Sequence, residues 1–294
     1  METLDLNPDK YRLVIALRPF SYSVTLVTCG LGVVLAYKQG NGHGLRALLV
    51  ILAGVLLQAA CNLANDYADI ALWRKHSGEL SRQVVQRIKL NFTLAGIFSF
   101  LACLMGLWLV KEVGWPLLLL GVFGVVGGYF YTGEPVNYKQ RGWGGVAVFL
   151  FTGVLMVSGA YYAVGGVWSN EVVWISIPVS LLASALILSN EIRDYQDDIN
   201  HNIRTLTVRI GLQKGKWLYA VLLLAVFPLS LLLYYLGGLS NPLYLLIALP
   251  FVIQLLMFLS NQSGDAAMDM RRLPPLTGRF FLLFGLGFIL SIVF

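Results

Sequence analysis

Charge, cysteine and histidine are all scarce in this chain, and each shortage excludes something. Only 12% of the 294 residues are charged while 57% are hydrophobic, with a mean hydropathy of +0.73. A single soluble domain does not tolerate that balance, so the chain reads as an integral membrane protein. The three cysteines, Cys29, Cys61 and Cys103, lie in or beside apolar segments, with no CxxC spacing and no paired histidines. They read as small core residues, which excludes a disulfide framework and a thiolate metal site. His43, His76 and His201 are isolated in polar connectors and read as solvated loop residues. The opening METLDLNPDKYR lacks the basic n-region of a cleaved signal peptide, so the first span is expected to be retained. The net charge of +6 comes from basic residues in short connectors, where topology and lipid headgroups account for them; nucleic acid is excluded as a partner.

What is present is a series of apolar runs, each about 17 to 22 residues long and able to span a bilayer. They fall at 20–36, 45–64, 92–110, 115–131, 144–164, 172–189, 217–235, 242–259 and 279–293, predicting an all-α membrane protein of nine transmembrane helices in one polytopic unit over residues 1–294. All but Lys38, Arg46 and Lys111 of the 21 Lys and Arg residues lie before span one or after an even-numbered span. The positive-inside rule therefore predicts a cytoplasmic N-terminus and a C-terminus on the opposite side of a bacterial-type inner membrane. The connectors after spans two and six, about 25 residues each, are longer than a usual helix-to-helix link and are where function is expected.

An acidic pattern recurs at the ends of spans two and six. NLANDYAD at 62–69 and NEIRDYQDD at 190–198 share N-x-x-x-D-Y-x-D, aligning Asn62 with Asn190, Asp66 with Asp194, Tyr67 with Tyr195 and Asp69 with Asp197. Four helices separate the copies, which puts both on the cytoplasmic side as a parallel repeat. Helical spacings of three and four bring Asp66 to the side of Asp69, and Asp194 to the side of Asp197 and Asp198. Each ionised acid at membrane depth costs about 2.5 to 3.5 kcal/mol, so a compensating cation is expected. Carboxylate and carboxamide oxygens without sulfur or imidazole suit Mg²⁺, which bridges carboxylates to substrate phosphates. Two such patches predict two Mg²⁺ ions on a diphosphate. The structural alternative is that the acids pair with Arg74, Lys75 and Arg193 at the interface. A further pair four residues apart, Asp265 and Asp269, lacks the Asn and Tyr companions and reads as part of a capping segment.

These motifs resemble those of the UbiA superfamily of intramembrane prenyltransferases, which carry an NDxxD-type motif after the second helix and a DxxxD-type motif after the sixth. Arg18-Pro19, YTGEP at 131–135, RGWGGVAVFLFTG at 141–153, Tyr161-Tyr162, RTLTVRIG at 204–211 and LTGRFFLLFG at 276–285 resemble the branch that prenylates 1,4-dihydroxy-2-naphthoate for menaquinone. The resemblance implies nine helices around a central cavity with a lateral opening and a cytoplasmic cap. It further implies that Asn62, Asn65, Asp66 and Asp69 hold one Mg²⁺ and that Asn190, Asp194 and Asp198, with Asp197 beside them, hold the other. The implied substrates are a polyprenyl diphosphate and an aromatic acceptor such as dihydroxynaphthoate, met within membrane lipid, with no obligate protein partner. Asp66, Asp69, Asp194 and Asp198 are then the catalytic acids. Arg82, Lys139, Arg141 and Arg204, with Tyr67, Tyr131 and Tyr195, become the candidate diphosphate-binding residues.

The chain departs from the family pattern in three places. In IALWRKHSGE, Trp73, Arg74 and Lys75 stand where relatives carry a further acid, leaving only Glu79 nearby. Gly145 stands where a glutamate is common, and Val136 where a lysine follows YTG-x-P. Other readings are a prenyltransferase with a different acceptor (hydroxybenzoate, homogentisate or a non-aromatic group) and a non-catalytic lipid-binding or transport homologue.

Overall fold

The computed structural model describes residues 8–75, 78–260 and 270–294. His76, Asp265 and Asp269 lie outside the described residues. Among the described residues there is no β-strand, as the unbroken apolar runs predict. Eight helices are long and apolar enough to cross a membrane. They are α1 (Leu13–Lys38), α2 (Gly44–Arg74), α3 (Glu79–Val113), α5 (Gly144–Gly165), α6 (Asn170–Arg193), α7 (Leu212–Tyr235), α8 (Pro242–Ser260) and α9 (Met270–Val293). The expected fourth span is a shorter apolar helix, α4 (Pro116–Tyr129), whose 14 residues fall below the ~20 that a full crossing needs. It starts at a proline, whose fixed φ suits a first helical turn, and ends in Gly127 and Gly128, which weaken helix propensity.

The connectors are more helical than their polarity predicts. Span three was expected from residue 92, yet α3 begins at Glu79. The reason is amphipathic spacing in ELSRQVVQRIKLN: Val84 and Ile88, four apart, are fully buried and pack with Tyr11, Ile70 and Trp73. The connector after α6 likewise contains two short helices, Tyr195–Asn200 and Leu206–Ile210.

Lipid supplies no hydrophobic drive between helices, so close packing of small residues must hold them. Gly32 on α1 and Gly153 on α5 mark two such places. A Cβ on Gly32 would sit 2.5 Å from the Val157 carbonyl oxygen and 2.8 Å from the Tyr161 nitrogen; one on Gly153 would sit 2.4 Å from the Ser180 Cβ. Gly153 lies in a π-helical stretch, Phe149–Leu155, that widens α5 as it passes α6. At the centre, Phe280, Phe284 and Phe288 form a fully buried file along α9, with Phe227 of α7 edge-on to Phe284 at 5.7 Å. Because the Gly32 contact is with backbone, no rotamer change relieves it. Gly32→Ala should destabilise the fold by roughly 1–3 kcal/mol, read as a lower unfolding midpoint in detergent.

Candidate active site

The chain turns from helix to a tight 3-10 turn, Asp66–Asp69, at the first acidic motif. With three residues per turn, Asp66 and Asp69 stack on one face, as their spacing predicts. Asp66 is 1% exposed; its Oδ1 accepts a hydrogen bond from Arg18 Nη2 at 2.9 Å, while Oδ2 is buried with no hydrogen-bond partner among the described residues. Asp69 Oδ2 accepts from Lys10 Nζ at 2.7 Å and from the Tyr11 hydroxyl at 3.0 Å.

These basic partners are brought in by a break in α1. Arg18 precedes Pro19, which disfavours helical backbone, and adopts φ 48° and ψ 67°. Asn62 secures the break: its Nδ2 donates to the Leu17 carbonyl at 2.7 Å and the Ser21 hydroxyl at 2.8 Å, and its Oδ1 accepts from Gln58 Nε2 at 3.2 Å. The carboxamide of Asn62 is thus committed to the fold. Asn65 is exposed, and the ring of Tyr67 lies against Phe92 of α3, centroids 4.2 Å apart.

The second motif is neutralised more locally. Arg193 grips its neighbour Asp194 with two contacts of 2.7 Å, Nε to Oδ1 and Nη2 to Oδ2. Asp198 is buried and accepts from the Thr205 hydroxyl at 3.1 Å; Asp197 is exposed. Asn190 Nδ2 donates to the Leu186 carbonyl at 3.0 Å, which leaves its oxygen for other use. Tyr195 is half-buried. Among the described residues, no three His, Cys, Asp or Glu side chains are gathered closely enough to hold a metal ion together. The two motifs are therefore not joined into one acidic cluster. Asp66, Asp69, Asp194 and Asp198 each contact a base or a hydroxyl instead. The available donors are nonetheless oxygens throughout, which suits a hard divalent cation, and Asp66 Oδ2 is a buried oxygen without a partner.

The candidate basic residues differ in placement. Arg82 is exposed on the first turn of α3, and Arg204 is exposed in the connector after α6. Arg141 Nη2 donates to the Pro135 carbonyl at 2.6 Å, a bond that shapes its own loop. Lys139 is half-buried, and its charge reaches both Asp198 and Glu191. Tyr131 lies beside the same two acids; burial, then their charges, pushes its hydroxyl well above the ordinary tyrosine range. It is a neutral donor at physiological pH.

Sequence reading passed over Lys10 and Tyr11, which lie far from the motifs along the chain, and quoted Arg18 only as part of a resemblance. It also passed over Glu191, which stands inside the second motif but outside the repeated positions. Glu191 is buried, and its Oε2 accepts from Thr207 backbone N–H at 3.0 Å and Thr207 hydroxyl at 3.1 Å. It lines one cavity with Gly145, the position at which a glutamate was expected. Arg209 was passed over as well. Its Nη2 donates to the Gln140 carbonyl at 2.8 Å and joins the connectors after α4 and α6.

Eight helices of membrane-spanning length, two of them ending in acidic residues beside basic partners, define an integral membrane protein. Residues 25–289 match the UbiA prenyltransferase family, and the chain belongs to that family. It is 30% identical over 291 residues to UbiA prenyltransferase domain-containing protein 1 of Homo sapiens, covering 95% of this chain and 82% of that one. It is 29% identical over 297 residues to 1,4-dihydroxy-2-naphthoate octaprenyltransferase of Escherichia coli (strain K12), covering 94% of each. The fold matches a UbiA homolog from Archaeoglobus fulgidus bound to GPP and Mg²⁺, with a TM-score of 0.59 and 14% identity over 96% of this chain and 99% of that one. The prenyltransferases of this family are transferases.

Removing Arg18 while keeping Asp66 leaves a buried carboxylate without its ion-pair partner. Arg18→Ala should cost roughly 3 kcal/mol, and Arg18→Ala with Asp66→Asn should recover most of it in detergent unfolding titrations. At Asp198, burial raises the carboxyl pKa despite the opposing Lys139 charge and Thr205 hydrogen bond. The folded state then holds the proton to higher pH than the unfolded chain. This contribution is fully favourable below the unfolded pKa near 4 and is lost as pH rises through the raised folded value. Asp198→Asn should therefore raise the unfolding midpoint of the metal-free protein at pH 7 and flatten its dependence on pH between 4 and 7.

Proposed function

We propose that this chain transfers a polyprenyl group from an allylic diphosphate to an aromatic acceptor, with 1,4-dihydroxy-2-naphthoate as the leading candidate and Mg²⁺ as cofactor. The observation that carries the reading is Asp66: an almost fully buried carboxylate, half paired with Arg18 and half unpartnered, at the end of an apolar helix. A purely structural acid in that position would be satisfied on both oxygens or replaced by a neutral residue. The naphthoate acceptor is supported by the name of the Escherichia coli relative, and metal and diphosphate by the GPP and Mg²⁺ bound to the Archaeoglobus fulgidus homolog.

In this proposal Asp66, Asp69, Asp194 and Asp198 would hold the metal, assisted by Asn65, Asn190 and Asp197; two ions per site are proposed from the repeat. Asn62 serves by locking the Leu17–Ser21 break that delivers Arg18. The metal, when bound, withdraws charge from the diphosphate leaving group and so eases ionisation to an allylic cation. Arg18 and Lys10, ion-paired to Asp66 and Asp69, would be the bases nearest those carboxylates to bind diphosphate oxygens. Lys139 and Tyr131 serve the second motif in the same way, with Arg82, Arg141, Arg204, Tyr67 and Tyr195 as outer contacts. The surrounding apolar helices exclude water that would quench a carbocation. The proposal places residues 1–294 in one unit with nine crossings, α4 being the short one. The N-terminus and both motifs are on the cytoplasmic side and form the cap.

Purified protein in lipid nanodiscs, given a polyprenyl diphosphate, Mg²⁺ and dihydroxynaphthoate, should release diphosphate and yield a prenylated product, and EDTA should stop both. Asp66→Ala and Asp194→Ala should each lower turnover by on the order of 10²-fold or more, Asp194→Ala with an unfolding midpoint close to that of the parent. Near-parental turnover in both variants, or indifference to EDTA, would refute the assignment.

A further inference from the structure

Between α5, α6 and α7, next to the second acidic motif, lies a cavity of about 280 Å³. Gly145, Val146, Phe149, Leu188, Leu206 and Leu222 give it apolar walls, and two polar side chains, Ser184 and Glu191, reach it. Ser184 is already engaged: its hydroxyl donates to the Gly145 carbonyl at 2.8 Å, which clamps α5 to α6. Glu191 is engaged on one oxygen only. Thr207 delivers both of its donors to Oε2, and Oε1 makes no hydrogen bond among the described residues. A Cβ on Gly144 would lie 3.5 Å from Oε1 and 3.5 Å from the Tyr131 hydroxyl, so the absence of a side chain there keeps the carboxyl oxygen open. Phe149, on the wall, begins the π-helical stretch of α5, a distortion that recurs beside functional sites.

Glu191 lines the cavity and its Oε1 has no hydrogen-bond donor among the described residues, so a molecule that enters can supply one. From this we infer that the cavity is the subsite for the ring of the acceptor, and that Glu191 Oε1 accepts a hydrogen bond from a ring hydroxyl, positioning the ring beside the second motif. The inference rests on the prenyl-transfer reading and names a specificity-determining residue for it. Size favours a ring over a tail: about 150 Å³ suffices for benzene, and roughly twice that suits a fused two-ring system but not a polyprenyl chain. Polarity agrees, because an isoprenoid tail has no donor for Oε1 and a carboxylate placed there would be repelled. The ring hydroxyl enters next to Glu191, and any acid group on the ring faces away from it.

The substitution Glu191→Gln makes the sharpest test, because its carboxamide oxygen must face the two Thr207 donors, leaving its NH₂ in the cavity. An acceptor becomes a donor without change of size. Equilibrium dialysis of the purified protein, with empty detergent micelles as reference and no diphosphate or metal present, would compare 2-naphthol with 2-methoxynaphthalene. The parent should bind 2-naphthol on the order of tenfold more tightly, and Glu191→Gln should abolish or invert that preference. Leu222→Trp, which fills the cavity from α7, should weaken both ligands alike. Equal binding of the two ligands by the parent, a preference that survives Glu191→Gln, or indifference to Leu222→Trp would each overturn the inference. So would a Glu191→Gln protein whose Mg²⁺-dependent binding of geranyl diphosphate falls as far as its naphthol binding, since Glu191 would then belong to the diphosphate site. Dialysis involves no turnover, so a chain that releases no diphosphate would sink the prenyl-transfer reading while leaving this preference measurable.

Discussion

The Arg18–Asp66 ion pair is the constraint from which much of the motif-bearing end of the molecule follows. A carboxylate at 1% exposure at the end of an apolar helix must have a cation, and the chain fetches it from 48 residues away. Reaching it requires breaking α1 at Arg18, and Asn62 holds that break with bonds to Leu17 and Ser21. Once the break is set, the segment before it folds back over the motif and places Lys10 and Tyr11 on Asp69. Asn91 of α3 secures that segment through the Tyr11 carbonyl at 3.1 Å. Removing the charge would remove the reason for most of these contacts.

The two acidic copies solve the same electrostatic problem differently. The first borrows distant cations and packs its surroundings with apolar groups. Trp73, standing where an acid was expected, is buried edge-on to Tyr11 at 5.9 Å, and its carbonyl accepts from the Ser81 hydroxyl at 2.6 Å. The lost acid is replaced by a small core, Tyr11, Ile70, Trp73, Val84 and Ile88, that anchors the segment carrying Lys10. The second copy uses neighbours along the chain: Arg193 for Asp194, Thr205 for Asp198, Thr207 for Glu191. One site is thus held together by tertiary contacts and the other by a local turn.

The membrane class, eight of the expected spans and the acidic repeat were legible because each rests on a local property: apolar run length, or spacing within one or two turns. The extended start of α3 was less legible. Its face of Val84 and Ile88 is too sparse to stand out against charged ELSRQ, and it becomes a core face only because Tyr11 and Trp73 arrive from elsewhere. The fourth span was read as full length because Gly127 to Tyr131 are apolar enough to extend it. Their turn residues instead end the helix at Tyr129.

The sequence by itself determined that the chain lives in a bilayer and that acids recur at two helix ends, since hydrophobicity and helical period act at short range. It also carried a family resemblance spread over nearly its whole length. Tertiary structure alone decided which cation meets which acid, and that Glu191 rather than residue 145 supplies the carboxyl of the cavity between α5, α6 and α7. Lys10 and Asp69 are 59 residues apart in the chain, and at that separation nothing in the local pattern of residues specifies a partner. Only the packing of helices brings such groups within 3 Å, and it does so through contacts, such as Gly32 against the α5 backbone, whose requirement is shape.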